Sequence, residues 1–165
     1  MGKILTILCC ALSALSAVLS GCNTAGCTEL RSSVPCANFY SSTTGKAITV
    51  DSLQITGVGV PGDSVLYGPS QRLTQIYLPM PAAVDKVSWR LAYMQKALAD
   101  YDVADTVTMQ FERMPWFGGE ECGAMYKYRI TRLDYTDYVI DSVVLIDSLV
   151  SNVEQTTMTI YFRTN

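Results

Sequence analysis

The chain contains no histidine among its 165 residues. Without an imidazole base, neither a Ser-His-Asp triad nor a Cys-His pair can activate a nucleophile. The sequence also lacks a Gly-x-Ser-x-Gly turn and a Walker loop. Two carboxylates can hydrolyse glycosides without histidine, but apart from Glu120-Glu121 the acids lie scattered along the chain. The sequence therefore predicts a protein that is not an enzyme, with a carboxylate hydrolase as the remote alternative.

Charge of either sign is scarce and unclustered. The chain has 12 basic and 15 acidic residues, for a net charge of −3. Nucleic acids bind to clustered lysine and arginine, so no nucleic-acid partner is expected. Glu120-Glu121 alone cannot supply the six or more oxygens that calcium takes, and the cysteine spacings do not fit zinc. We expect neither a metal nor a cofactor.

A long apolar run lies near the N-terminus, from Ile4 to Val18, and follows the positive charge of Lys3. A membrane-spanning helix needs about 20 apolar residues. This run is shorter and ends in small residues, which is typical of a secretory signal peptide. The segment that closes it is Leu19-Ser20-Gly21-Cys22.

That tetrapeptide resembles the bacterial lipobox. The resemblance implies that Cys22 becomes the lipidated N-terminus, that residues 1–21 are removed, and that the acyl chains tie the protein to a membrane. An ordinary signal peptide is the alternative. Asn23 in place of aspartate favours the outer membrane, and the absence of an early acidic run favours a periplasm-facing domain over a surface-exposed one.

Cysteine is reduced to four residues once the predicted signal peptide is gone. With Cys22 lipidated, Cys27, Cys36 and Cys122 remain, an odd number for an oxidising compartment. The simplest outcome is one disulfide bond and one further thiol, and the sequence alone leaves the pairing open.

Helical periodicity is almost absent, and hydrophobic residues instead alternate with polar ones. Four segments show this period of two, around residues 87–93, 107–112, 124–131 and 157–162. Further strands are predicted at 47–55, 65–67, 73–78 and 138–149, with one or two helical turns at 95–101. Glycine and proline punctuate the segments. We predict an all-β domain over 37–165, an antiparallel, immunoglobulin-like β-sandwich with a barrel as second choice, preceded by a tether at 22–36.

Short motifs across the mature chain resemble those of a family of small Bacteroidota lipoproteins of unknown function. The motifs are the early cysteine Cys27, the Leu78-Pro79 step after a strand, the pair Cys122-Gly123 between two late strands, and a final strand containing Ile160-Tyr161-Phe162. The resemblance implies an all-β envelope lipoprotein and pairs Cys27 with Cys122. Pairing of Cys36 with Cys122 is the alternative.

Five tripeptides have the order aspartate, hydroxyl residue, aliphatic residue, which resembles the O-glycosylation signal of exported Bacteroidota proteins. Attached glycan is bulky and restricted to the surface. Alternatively, aspartate and serine simply favour turns and strand entries. The predicted acceptors are Ser52, Ser64, Thr106, Ser142 and Ser148.

Two adjacent aromatic residues, Trp116 and Phe117, precede a pair of glycines. In extended backbone they point to opposite faces, and the favoured interpretation is that both cover the end of the core. The alternative is that one of them is exposed as a platform for a sugar or a partner. Together these features predict a non-catalytic binding or scaffolding lipoprotein of the outer membrane, with envelope proteins or glycan as partners. A surface carbohydrate-binding or adhesin module is the alternative.

Overall fold

The computed structural model describes residues 33–59, 64–120 and 122–164. Cys22, Cys27 and the predicted signal peptide lie outside the described residues. Apart from a 3-10 helix at Lys96–Leu98, the regular structure in these ranges consists of strands. The strands are β1 (Cys36–Ser41), β2 (Val50–Asp51), β3 (Leu53–Val58), β4 (Val65–Tyr67), β5 (Arg72–Leu73), β6 (Gln75–Tyr77), β7 (Lys86–Tyr93), β8 (Ala104–Phe117), β9 (Ala124–Tyr135), β10 (Ile140–Leu145), β11 (Leu149–Val150) and β12 (Thr156–Phe162).

The strands form two main sheets that share one hydrophobic core. The four-stranded sheet has the order β10-β12-β1-β6 and the six-stranded sheet the order β11-β9-β8-β7-β3-β4, while β2 and β5 form a separate ribbon. Phe39 and Ile160 of the first sheet belong to the same buried cluster as Trp89 and Met109 of the second. Neither sheet closes on itself among the described strands. The predicted all-β sandwich is therefore confirmed, and the barrel is not formed.

The alternation seen in the sequence produces the inner face of the six-stranded sheet. Trp89 and Leu91 of β7 are buried, as are Val107 and Met109 of β8, while the residues between them are only partly buried. Side chains alternate across a pleated strand, so each strand contributes every second residue to the core. The predicted turn at 95–101 is observed as the short 3-10 helix.

Strand β1 is the main element that the sequence did not predict. It begins at Cys36, the last residue of the predicted tether, and lies between β12 and β6. Its pairing with β12 is parallel, whereas the other described pairs are antiparallel. Ala37 and Phe39 are fully buried. The strand is stabilised by neighbours distant in sequence, so its own six residues carry little local signal.

Two further details differ from the sequence prediction. The expected continuous strand at 47–55 is broken at Ser52, whose φ of 56° lies in the left-handed region and separates β2 from β3. In β12, Thr157 and Thr159 were expected to face water but are buried. The Cys36 backbone N–H donates a hydrogen bond to the Thr157 hydroxyl at 3.2 Å, which satisfies that buried polar group.

Candidate functional site

Strands β8 and β9 continue past their neighbours as a two-stranded extension. Pairing of β7 with β8 ends at Gln110, and β11 contacts β9 only at Tyr128 and Arg129. Beyond those points, 114–117 pairs with 124–127, and no other described strand flanks the pair. We call these eight residues the hairpin arm. The outer edges of the arm are therefore not paired with another described strand.

The two aromatic residues singled out in the sequence lie on opposite faces of this arm. Phe117 pairs with Ala124 at the arm's end and is 63% exposed. Trp116 is partly buried, and the Lys127 ammonium lies 3.9 Å from the centre of its ring, within the range of a cation–π contact. Both residues belong to β8 rather than to a loop. Phe117 is therefore available to a partner, whereas one Trp116 face is already occupied.

A compact turn closes the arm. The Gly118 N–H donates to the Gly123 carbonyl at 3.0 Å, and the Gly123 N–H donates to the Gly119 carbonyl at 2.9 Å. Gly119 and Gly123 have φ values of 105° and 72°, which glycine adopts at little cost. Glu120 is exposed in the turn. Its neighbour in the hydrolase alternative, Glu121, lies outside the described residues.

Cys122, next to this turn, and Cys36, in β1, differ in oxidation state. Cys122 is disulfide-bonded, whereas Cys36 is a free, buried thiol whose Sγ lies 3.8 Å from Asn38 Oδ1. Burial, followed by the charge of Glu154, raises the pKa of the Cys36 thiol, which disfavours the reactive thiolate. The structure therefore does not contain the alternative Cys36–Cys122 bond. The pairing of Cys122 with Cys27 stays a prediction, because Cys27 lies outside the described residues.

The first described residues contact the hairpin arm. The Ser33 hydroxyl donates a hydrogen bond to the Tyr126 carbonyl oxygen at 2.7 Å, and Ser33 is buried. A cleft of about 280 Å³ lies beside this contact, lined among others by Val34, Met80 and Ala124. The chain thus enters the sandwich along the arm and then forms β1.

A polar site that the sequence did not predict surrounds the fully buried carboxylate of Asp105. Its Oδ1 accepts hydrogen bonds from the Thr136 hydroxyl and the Tyr138 N–H, both at 2.8 Å. Its Oδ2 accepts three more at 2.9–3.0 Å, from the Tyr93 hydroxyl and the N–H groups of Val139 and Ile140.

Electrostatics at this site favour the charged carboxylate. Burial raises the pKa of Asp105, but the hydrogen bonds from Ile140, Val139, Thr136 and Tyr138 outweigh it and leave the pKa below its ordinary value of 3.8. Burial and the neighbouring Asp105 charge raise the pKa of the Tyr93 hydroxyl, which therefore stays a donor. All acceptor positions face donors, so the group acts as a structural anchor. The signal available in the sequence was its phase, since Asp105 alternates inward together with Val107.

The five predicted glycosylation acceptors differ in accessibility. Ser64 and Ser148 are exposed, and Ser148 lies in the turn between β10 and β11, where the Leu149 N–H donates to Asp147 Oδ1 at 2.8 Å. Three others, Ser52, Thr106 and Ser142, are partly buried. At Asp105-Thr106, burial of the aspartate explains that tripeptide without any modification. Glycosylation stays a prediction, and exposure favours Ser64 and Ser148.

The fold and arm define a β-sandwich domain with a projecting hairpin, in which the described residues include no helix long and apolar enough to span a membrane. Those residues also include no group of three or more cysteine, aspartate or glutamate side chains that could hold a metal. Residues 52–162 match the profile of a family of unknown function, DUF6452, and the chain belongs to that family. Comparisons with curated proteins and with solved structures gave no significant match.

Proposed function

We propose that this protein is a lipid-anchored component of the outer membrane, of the Bacteroidota lipoprotein type, whose sandwich binds or scaffolds other envelope components without catalysis. The observation that carries the proposal is the Leu-Ser-Gly-Cys22 segment at the end of an apolar run. Several acyl chains hold a soluble domain on a bilayer, since each buried methylene contributes about 0.8 kcal/mol. The domain faces the periplasm.

The described structure supports a binding role through its surface rather than through a reaction centre. Among residues 33–59, 64–120 and 122–164, Asp105 is the buried carboxylate, and its donors already occupy both oxygens. Cys36, a nucleophile by residue type, is buried and its pKa is raised. Exposed apolar side chains, in contrast, are present on the hairpin arm at Phe117 and Tyr126.

Labelling with a fatty-acid analogue in the native host tests the anchor. The wild-type protein should incorporate the label and sediment with membranes, whereas Cys22→Ala should lose both properties. Cys36→Ala is the matched control, because it removes a cysteine from the domain and should keep the label. An unlabelled wild-type protein would disprove the anchor.

A surface carbohydrate-binding or adhesin module is the second candidate, and the exposure of Phe117 favours it. Trp116 cannot share one flat platform with Phe117, because the two residues occupy opposite faces of the arm. Protease treatment of intact cells separates the candidates. The periplasm-facing protein should be cleaved only after the outer membrane is permeabilised, whereas an adhesin would be cleaved on intact cells.

A further inference from the structure

We infer that the end of the hairpin arm, with Phe117 and Tyr126, is a membrane-contact surface that inserts into the interface of the bilayer holding the lipid anchor. This inference rests on the proposed anchoring through Cys22. It adds an orientation of the domain and a binding surface, with lipid as the partner.

The path of the chain leads from Cys22 to the hairpin arm. Ser33 follows Cys22 by eleven positions, a span of at most about 40 Å when fully extended and about 18 Å as a flexible chain. Ser33 is hydrogen-bonded to Tyr126. A lipid on Cys22 therefore brings the arm toward the bilayer ahead of the opposite end of the sandwich.

The end of the arm exposes two aromatic rings. Phe117 is 63% exposed and Tyr126 is 42% exposed, on an extension that no other described strand flanks. Aromatic and apolar side chains gain free energy at the boundary between headgroups and acyl chains. The same rings would remain in contact with water if the domain pointed away from the membrane.

Charge around the arm decides which kind of membrane contact to expect. Residues 112–129 contain three acidic and three basic side chains. A balanced segment gains little from anionic lipids, which attract clusters of lysine and arginine. The contact is therefore apolar, and it should be the same in zwitterionic vesicles and in vesicles that contain anionic lipid.

Tryptophan substitution at two matched positions tests the inference. In a Trp116→Phe background the remaining native tryptophan, Trp89, is buried in the core. Phe117→Trp then places a probe at the arm's end. Tyr101→Trp places the same probe at a position that is 69% exposed and precedes β8, about 40 Å away along that strand. The two lipidated proteins are reconstituted in zwitterionic vesicles with plain or brominated acyl chains.

Bromine should reduce the fluorescence of the Phe117→Trp protein by about twofold or more, because interfacial apolar groups lie about 5–10 Å into the bilayer boundary. The Tyr101→Trp protein and the Trp116→Phe parent should be unaffected. Two outcomes would refute the membrane-contact surface and leave the anchor intact. Both probes could be quenched equally, or the probe at position 117 could show no quenching in protein that floats with the vesicles. Protein that does not float overturns the anchor and this inference with it.

Discussion

Asp105 is the residue whose environment says most about how this fold is held together. It lies at the start of β8 and binds the backbone of 138–140, which leads into β10 in the other sheet. The carboxylate thus connects the two sheets of the sandwich at one edge. Hydrogen bonds to a charged group contribute about 1.5–3 kcal/mol each, and part of that gain offsets the desolvation of the buried charge.

Replacement of Asp105 by asparagine should lower the free energy of unfolding at neutral pH by about 3 kcal/mol. The amide nitrogen is a donor, and it would face N–H and O–H donors that now contact a carboxylate oxygen. Denaturant unfolding compares the stability of Asp105→Asn with that of Asp100→Asn, a control substitution at an exposed aspartate that precedes β8. A loss below about 1 kcal/mol would show that the network is not an anchor.

The pH dependence follows from the lowered pKa of Asp105. A carboxylate with a lower pKa in the folded state contributes stability that is present above its unfolded pKa and lost as pH falls through the folded pKa. With an ordinary value of 3.8, wild-type stability should fall steeply below about pH 4, and Asp105→Asn should show a shallower fall over the same range. If the free energies of unfolding of the wild type and of Asp105→Asn fall in parallel as the pH is lowered, the pH dependence arises from groups other than Asp105.

At the scale of elements, local patterns predicted the strands that have one buried and one wet face. Trp89 of β7 and Met109 of β8 are examples, because each residue alternates with polar residues along its own strand. The patterns could not predict β1, whose position depends on pairing with β12 more than a hundred residues later. Trp116 and Phe117 were recognised as a site candidate, but their assignment to a strand depended on the partner residues in β9.

The turn of the hairpin arm offers a test of how tightly this element is packed. A Cβ added at Gly118 would lie 2.9 Å from the Cys122 Cβ and 3.1 Å from the Trp116 ring. Gly118→Ala should therefore destabilise the protein by about 1–3 kcal/mol through overpacking.

Gly68→Ala is the matched control for this substitution, since a Cβ there would have no neighbour within 4 Å and its φ is not positive. Its effect should stay within about 0.5 kcal/mol. Thermal and denaturant unfolding compare the two variants. Equal stability of both would mean that the arm relaxes without cost and is not tightly packed at its turn.

At the scale of the whole molecule, the proposed lipid anchor and the predicted tether would precede the sandwich in the chain. Ser33 contacts Tyr126, and Gly118 lies beside Cys122, so the tether and the turn of the arm belong to one end of the domain. The disulfide-bonded state of Cys122 and the free thiol of Cys36 leave Cys27 as the partner we predict. Ser33 follows Cys27 by only six positions, about 20 Å at full extension, which suits a bond at this end.

Thiol counting on the protein purified from its native host tests this arrangement. The folded protein should react slowly with a thiol reagent, because Cys36 is buried and its pKa is raised. After unfolding without reductant, one thiol per chain should react, and Cys36→Ala should reduce that to none.

Reduction should release two more thiols. It should also lower the free energy of unfolding by about 4–5 kcal/mol, since a Cys27–Cys122 bond closes a loop of roughly 95 residues. A Cys27 peptide that separates from the Cys122 peptide in a non-reducing digest would refute the pairing.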